Sequence, residues 1–103
     1  MLNIKELKQK ACSTIDKRKK DLISIAKDVL ANPESGFRET RTANLVAREF
    51  DQLGIPHNDG LAITGVKGKI AGGAGPGPKI AVIGELDSLI VEGHPFADQK
   101  TFA

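Results

Sequence analysis

Three side chains late in the sequence have the types and spacing to do chemistry. Glu85 and Asp87 stand two residues apart, and His94 follows in EGHPFAD. Alternate residues of a strand point to one face, so a strand through 85–87 sets both carboxylates on the same side. In open α/β sheets, ligands bind beyond the carboxyl ends of the strands. A carboxylate pair there can bind a divalent metal, or one acid can orient a ligand that holds it. His94 would complete a facial set of metal-ligating groups. The same residues also read as ordinary strand-exit acids, solvated or capping a turn, beside a loop histidine held by backbone hydrogen bonds. Spacing alone leaves both readings open.

Other candidates are weaker. His57, beside Pro56, is isolated in the sequence and reads as a surface residue. Cys12 lies next to an apolar helical stripe and reads as a small, half-buried side chain, with no neighbouring histidine to activate it as a nucleophile. As the single cysteine it excludes an internal disulfide and fits a reducing compartment. The glycine-rich stretch GGAGPGP, 72–78, lacks both the GxxxxGK[ST] and the GxGxxG pattern, and Pro76 and Pro78 remove backbone donors that a phosphate cradle needs. No GxSxG nucleophile elbow is present.

Composition narrows the class. The chain has 103 residues, 40% hydrophobic and 27% charged, which suits one small globular domain. A net charge of +2, from 15 basic and 13 acidic residues, is too balanced to imply a nucleic-acid partner. Residues 1–30 are the basic part, but their eight Lys or Arg are interspersed with four acids. No run approaches the ~18 apolar residues of a membrane span, and MLNIKELKQK lacks the apolar core of a secretory signal. The cytoplasm is the expected location.

The elements that must position these residues follow from periodicity. Ile4, Leu7, Ala11, Ile15, Leu22, Ile25 or Ala26, and Val29 recur at helical spacing and predict one helix from about Ile4 to about Ala31. Asn3 with Glu6 starts it as a capping box, and Asn32-Pro33 stops it. Glu6–Lys10, Asp16–Lys20 and Lys17–Asp21 are spaced as i,i+4 ion pairs. The stripe is interrupted at Arg18, which favours packing on a sheet over a coiled-coil seam. A second helix is expected over Thr40–Leu53, with Gly54 as its left-handed cap. Ile55–His57 reads as a short strand before an Asn58-Asp59-Gly60 turn. Val66–Ala71 and Lys79–Leu86 then read as neighbouring strands joined by 72–78, with helix 4–31 across them. The nearly continuous apolar run in KIAVIGEL suits a strand covered on both faces. With two helices, a hairpin-like strand pair and an unpartnered edge, the expected fold is α/β with an incomplete sheet.

Taken in order, NPESGFRETRTANLV, FDQLGI, ITGVKGKIAGG and GPKIAVIGELDSLIVEGHPFAD resemble the start of the aminoacylase/carboxypeptidase-type metallopeptidases, in their amidohydrolase branch. The resemblance implies the N-terminal portion of a zinc-peptidase-like α/β sandwich. Residues 1–103 would then be a partial catalytic domain, without the rest of that domain and without an inserted dimerisation domain. Glu85-Leu86-Asp87 falls where the broader family has His-x-Asp, in which the histidine ligates metal and the acid orients it. An acid replaces that histidine in the branch, so Asp87 carries over as a ligand-orienting candidate, and Glu85 and His94 remain weaker candidates for metal.

The resemblance further implies a later His-Ala-Cys-Gly-His motif and a Glu-Glu pair, neither of which this sequence contains. Complete relatives are expected to use a divalent metal, zinc, to hydrolyse amide bonds of N-acyl amino acids or small peptides, and to form homodimers. For these 103 residues alone the expectation is no bound cofactor and no activity. A different reading is a standalone interaction or regulatory module that docks through helix 4–31.

Overall fold

The computed structural model describes residues 2–103. The helical stripe forms as two segments, α1 (Ile4–Lys17) and α2 (Lys19–Ala31), rather than one. Arg18 departs from helical geometry, at φ −96° and ψ 6°, yet its N–H still reaches the carbonyls of Thr14 and Ile15 at 3.1 Å. Leu22 N–H in turn donates to Arg18 O at 3.0 Å, so the two segments run on through the joint.

The capping box forms as the sequence implies: Asn3 Oδ1 accepts from Glu6 N–H at 2.9 Å, and Glu6 Oε2 accepts from Asn3 N–H at 2.8 Å. Glu6 is thereby engaged at the cap, and the Glu6–Lys10 pair does not form. Neither do Asp16–Lys20 and Lys17–Asp21. Among the described residues the ion pairs are Asp28–Arg41 and the two on His57.

Helix α3 (Thr40–Gln52) carries the core, with Thr42, Ala43 and Leu45 buried. Its end is a Schellman turn: Gly54 sits at φ +67°, Gly54 N–H donates to Asp51 O at 3.0 Å, and Ile55 N–H to Phe50 O at 2.8 Å. The chain then reverses into β1 (His57–Leu61), which pairs antiparallel with β2 (Gly65–Gly68). The pairing sets His57 opposite Gly68 and Leu61 opposite Gly65, with an irregularity after Asn58. α3 packs on both strands. They come close at Gly68, where an added Cβ would lie 3.0 Å from the Phe50 ring and 3.1 Å from Ile55.

The chain is therefore an α/β arrangement of helices followed by a two-stranded, unclosed sheet. Its strand pair lies earlier than the periodicity placed it. Asn58-Asp59-Gly60 runs within β1 instead of turning, and the turn falls at 62–64. Closing a hairpin over three residues costs less chain entropy than bridging 72–78 to a distant strand. Lys79–Leu86 has no regular structure, because a strand needs a partner for its N–H and C=O groups and none reaches it. Nor does helix 4–31 pack across the strands: α1 and α2 hold no buried residue, and Ile4, Leu7, Ile15 and Leu22 are exposed.

Candidate functional site

Glu85 and Asp87 are both exposed, while Leu86 and Ser88 between and after them are half-buried. The alternation that sets the two acids on one side thus survives without a strand ladder. Among the described residues, one hydrogen bond fixes this segment to the rest: Ser88 N–H donates to Glu34 O at 2.8 Å. Glu34 is itself anchored through its carboxylate at the start of α3. Oε2 accepts from Arg41 N–H at 3.0 Å, and Oε1 accepts from Thr42 N–H at 2.6 Å and from the Thr42 hydroxyl at 2.7 Å. These are first-turn donors that no residue within the helix can satisfy. Partial burial works to raise the Glu34 pKa, but the Thr42 hydroxyl, the two N–H groups and the Arg41 charge outweigh it and hold the carboxyl below its ordinary value.

His94 lies in a separate turn. Its Nδ1 accepts from Phe96 N–H at 3.2 Å, its N–H donates to Val91 O at 3.2 Å, and its ring stands 5.9 Å from that of Phe96. The turn is closed by Val91 N–H to Phe102 O at 2.9 Å and by Asp98, whose Oδ1 accepts from the N–H groups of Lys100 and Thr101. Those hydrogen bonds, Thr101 N–H foremost, hold the Asp98 carboxyl below its ordinary value. The Thr101 hydroxyl reaches Leu30 O at 3.2 Å and seats the turn against the end of α2.

Among the described residues, no group of three or more His, Cys, Asp or Glu side chains is arranged to hold a metal ion. Catalytic zinc takes about three protein ligands and keeps a position open for water. Glu85, Asp87 and His94 as placed here do not fit that ion. Cys12 is free and exposed on α1, not half-buried as its place beside the stripe suggests, because α1 holds no buried residue.

The ionisable cluster that sequence reasoning missed is at His57. Its side chain is only 14% exposed. Nε2 lies 2.7 Å from Asp51 Oδ1 and Nδ1 lies 2.5 Å from Asp59 Oδ1, with the Phe50 ring 5.8 Å away. Hydrogen bonds first to Asp51 and then to Asp59 raise the His57 pKa. The carboxylates flank opposite ring nitrogens, so the imidazole sits between them and they do not converge on a common ion. The available signal was an acid six residues before the histidine and another two after, across a glycine that reverses the chain. Glu39, buried at the start of α3, makes a further polar tie: it accepts from the Thr64 hydroxyl at 2.7 Å, which lowers its pKa and joins α3 to the hairpin turn.

Over 71 residues, 69% of this chain, the sequence is 32% identical to an IAA-amino acid hydrolase ILR1-like 5 of Arabidopsis thaliana. It is 38% identical over 72 residues to thermostable carboxypeptidase 2 of Saccharolobus solfataricus, and 27% identical over 99 residues to the putative amidohydrolase YhaA of Bacillus subtilis. The matched regions are 16%, 18% and 24% of those proteins, so the chain spans a quarter or less of their length. No family model matches, and no solved structure does. The chain thus has homologues among amidohydrolases and peptidases, matched over about 69% of its length at low identity.

Proposed function

We propose that these 103 residues are the N-terminal portion of the catalytic domain of a metal-dependent amidohydrolase acting on N-acyl amino acids or small peptides, and are inactive by themselves. The observation that carries this reading is the similarity to proteins named as an amino acid hydrolase and a carboxypeptidase, over 71 and 72 residues of this chain. Cleaving an acyl-amino acid and cleaving a carboxy-terminal residue are both hydrolyses of a C–N amide bond. Zinc in such enzymes supplies an activated water and stabilises the oxyanion. The acids present here do not assemble a site for it, so no step is assigned to them. Within the reading, Asp87 orients a metal ligand contributed by another part of the enzyme, and Glu34 holds the backbone beside it through Ser88.

The test is to read the genomic DNA flanking this coding sequence. A continuation, in any frame, encoding a Gly-Ala-rich segment and a His-Ala-Cys-Gly-His motif supports the reading, and its absence sinks it.

A second reading draws support from the exposure of Ile4, Leu7, Ile15 and Leu22: a non-catalytic interaction module that docks through helix 4–31. Substituting Ile4 and Ile15 by Glu would abolish partner capture under this reading, and would leave the activity of a complete hydrolase to be explained by other residues under the first.

A further inference from the structure

The hairpin is tied to α3 at both of its ends. At the turn, the Thr64 hydroxyl donates to the Glu39 carboxylate at 2.7 Å. At the root, where β1 leaves the Gly54 reversal, His57 Nε2 lies 2.7 Å from Asp51 Oδ1. The two ties differ in how they answer to pH. A hydroxyl donates throughout, and the Glu39 carboxyl, held below its ordinary value by that bond, stays an acceptor through neutrality and above. An imidazole donates from both nitrogens only as the cation, and His57 has a carboxylate on each.

We infer that His57 is a pH-operated lock on the root of the hairpin: the imidazolium closes it by donating to Asp51 and Asp59 together, and the neutral ring keeps Asp59 through Nδ1–H and releases Asp51. Loss of the Nε2 proton to water leaves a lone pair facing the Asp51 carboxylate, which it repels. Asp59 is the partner kept because it stands two residues away on the same strand, so holding it orders less chain than holding Asp51, six residues away across the reversal. Asp51 is also the freer side chain, 71% exposed against 53% for Asp59. From α3 the imidazole meets Asp51 and the Phe50 ring, from its own strand Asp59, and from β2 Gly68, which has no side chain. Lys67 and Lys69 flank Gly68, and strand alternation sets them on the other face, where both are exposed. The raised His57 pKa accords with two acids and no cation at the ring. With the root open, the Thr64 tie and the seating of Phe50 over Gly68 remain, so the hairpin loosens at one end and stays attached at the other. All of these groups, from Glu39 to Lys69, make their contacts with one another within this chain.

Ring ¹H–¹⁵N spectra of the 103-residue chain, with native-state hydrogen exchange from about pH 5 to about pH 9, test this. At the acid end both ring nitrogens carry a proton; as pH rises, Nε2 loses its proton and Nδ1 keeps it. Between the ordinary imidazole value and the raised one, root opening grows by up to about tenfold per pH unit, and then it levels off, since one proton is released. The opening is read at Lys69 N–H, which donates to Pro56 O at 3.1 Å, and at Ile55 N–H, after correction for base-catalysed exchange. Exchange at both amides is insensitive to about 1 M urea, because the opening exposes little surface. Ala43 N–H, on Glu39 O at 2.8 Å, exchanges through global unfolding and accelerates in urea. Asp51→Asn keeps the root closed at high pH, since its amide N–H donates to the neutral Nε2. Asp59→Asn also keeps it closed, but moves the ring proton to Nε2, where Asp51 accepts it. Both are isosteric changes at exposed side chains, and unchanged helical circular dichroism reports intact folding. The inference is overturned by an Nε2–H tautomer in the wild type, by a ring that loses no proton, by root exchange that ignores pH or follows urea as Ala43 does, or by variants that open as the wild type does.

Discussion

Asp51 and His57 lie on opposite sides of the Gly54 reversal, and the turn brings the carboxylate to 2.7 Å from the imidazole Nε2. With Asp59 on the other nitrogen, both ring positions face acceptors, and only the imidazolium can donate to both at once. The groups facing His57 are Asp51 from α3 and Asp59 from its own strand, while Gly68 opposite it on β2 has no side chain to contribute. The folded pKa is raised above the ordinary imidazole value. This contribution to stability is therefore fully present below the unfolded pKa and is lost as pH rises through the folded one. Thermal unfolding followed from pH 5 to pH 9 should show the melting temperature falling across the His57 titration. Asp51→Asn should lower the pKa read from the ring protons by NMR and flatten that fall. An unchanged ring titration in Asp51→Asn would count against the clamp.

Gly68 is required for a different reason. Its backbone φ is not in the left-handed region, so the constraint is the Phe50 ring and Ile55 above it. Gly68→Ala should destabilise the helix–hairpin unit by about 1–3 kcal/mol, as overpacking does. Gly72→Ala, with nothing within 4 Å of the added carbon, should leave the urea midpoint unchanged. Equal midpoints for the two variants would show that α3 does not press on β2.

Helix caps and stops held by neighbours in sequence were legible, whereas the exposed i,i+4 charge pairs did not form and features that need distant partners were not legible. The Asn3–Glu6 box, the Asn32-Pro33 stop and the Gly54 cap each involve residues a few positions apart, and each forms where the residue types imply it. Lys79–Leu86 has strand composition, but a strand exists only as a pair, and composition names no partner. β2 found its partner in β1 because that loop is shorter. Cap chemistry was legible at α1 and hidden at α3, where the capping acid, Glu34, lies before the helix by most of a loop. At the candidate site, the alternation of Glu85 and Asp87 was readable from spacing, whereas the clamp on His57 depends on how the chain turns at Gly54.

Glu34→Ala should remove three hydrogen bonds from the first turn of α3 and cost about 1–2 kcal/mol, in the range of losing a helix cap. The Glu34 carboxyl is held below its ordinary value, so its contribution is present above the unfolded pKa and is lost as pH falls through the folded one. The wild-type chain should accordingly lose stability in acid more steeply than the variant, as measured by urea unfolding at pH 7 and at pH 3. Two parallel pH profiles would rule out this role. Chemical shifts of Ser88 should also move in Glu34→Ala, because its N–H is tied to the Glu34 carbonyl.

Asp87 and Glu85 are exposed and two residues apart, and His94 belongs to a turn tied to the end of α2 rather than to their segment. Bringing the three onto one ion would require the 85–94 stretch to refold, against the hydrogen bonds that close the His94 turn. Zinc should therefore bind these residues no more tightly than it binds an exposed carboxylate pair, and amide hydrolysis should be undetectable. A displacement of ~1 Å can cost an otherwise complete site about 100-fold in rate, and here no general base stands beside the acids. Isothermal titration of chelator-treated protein with Zn²⁺, paired with an assay on N-acyl amino acids and small peptides, measures both quantities. Asp87→Ala should change neither, since there is no turnover for it to lose. Submicromolar one-to-one zinc binding, or turnover abolished by chelator and restored by metal, would mean that the 85–94 stretch does rearrange into a working site.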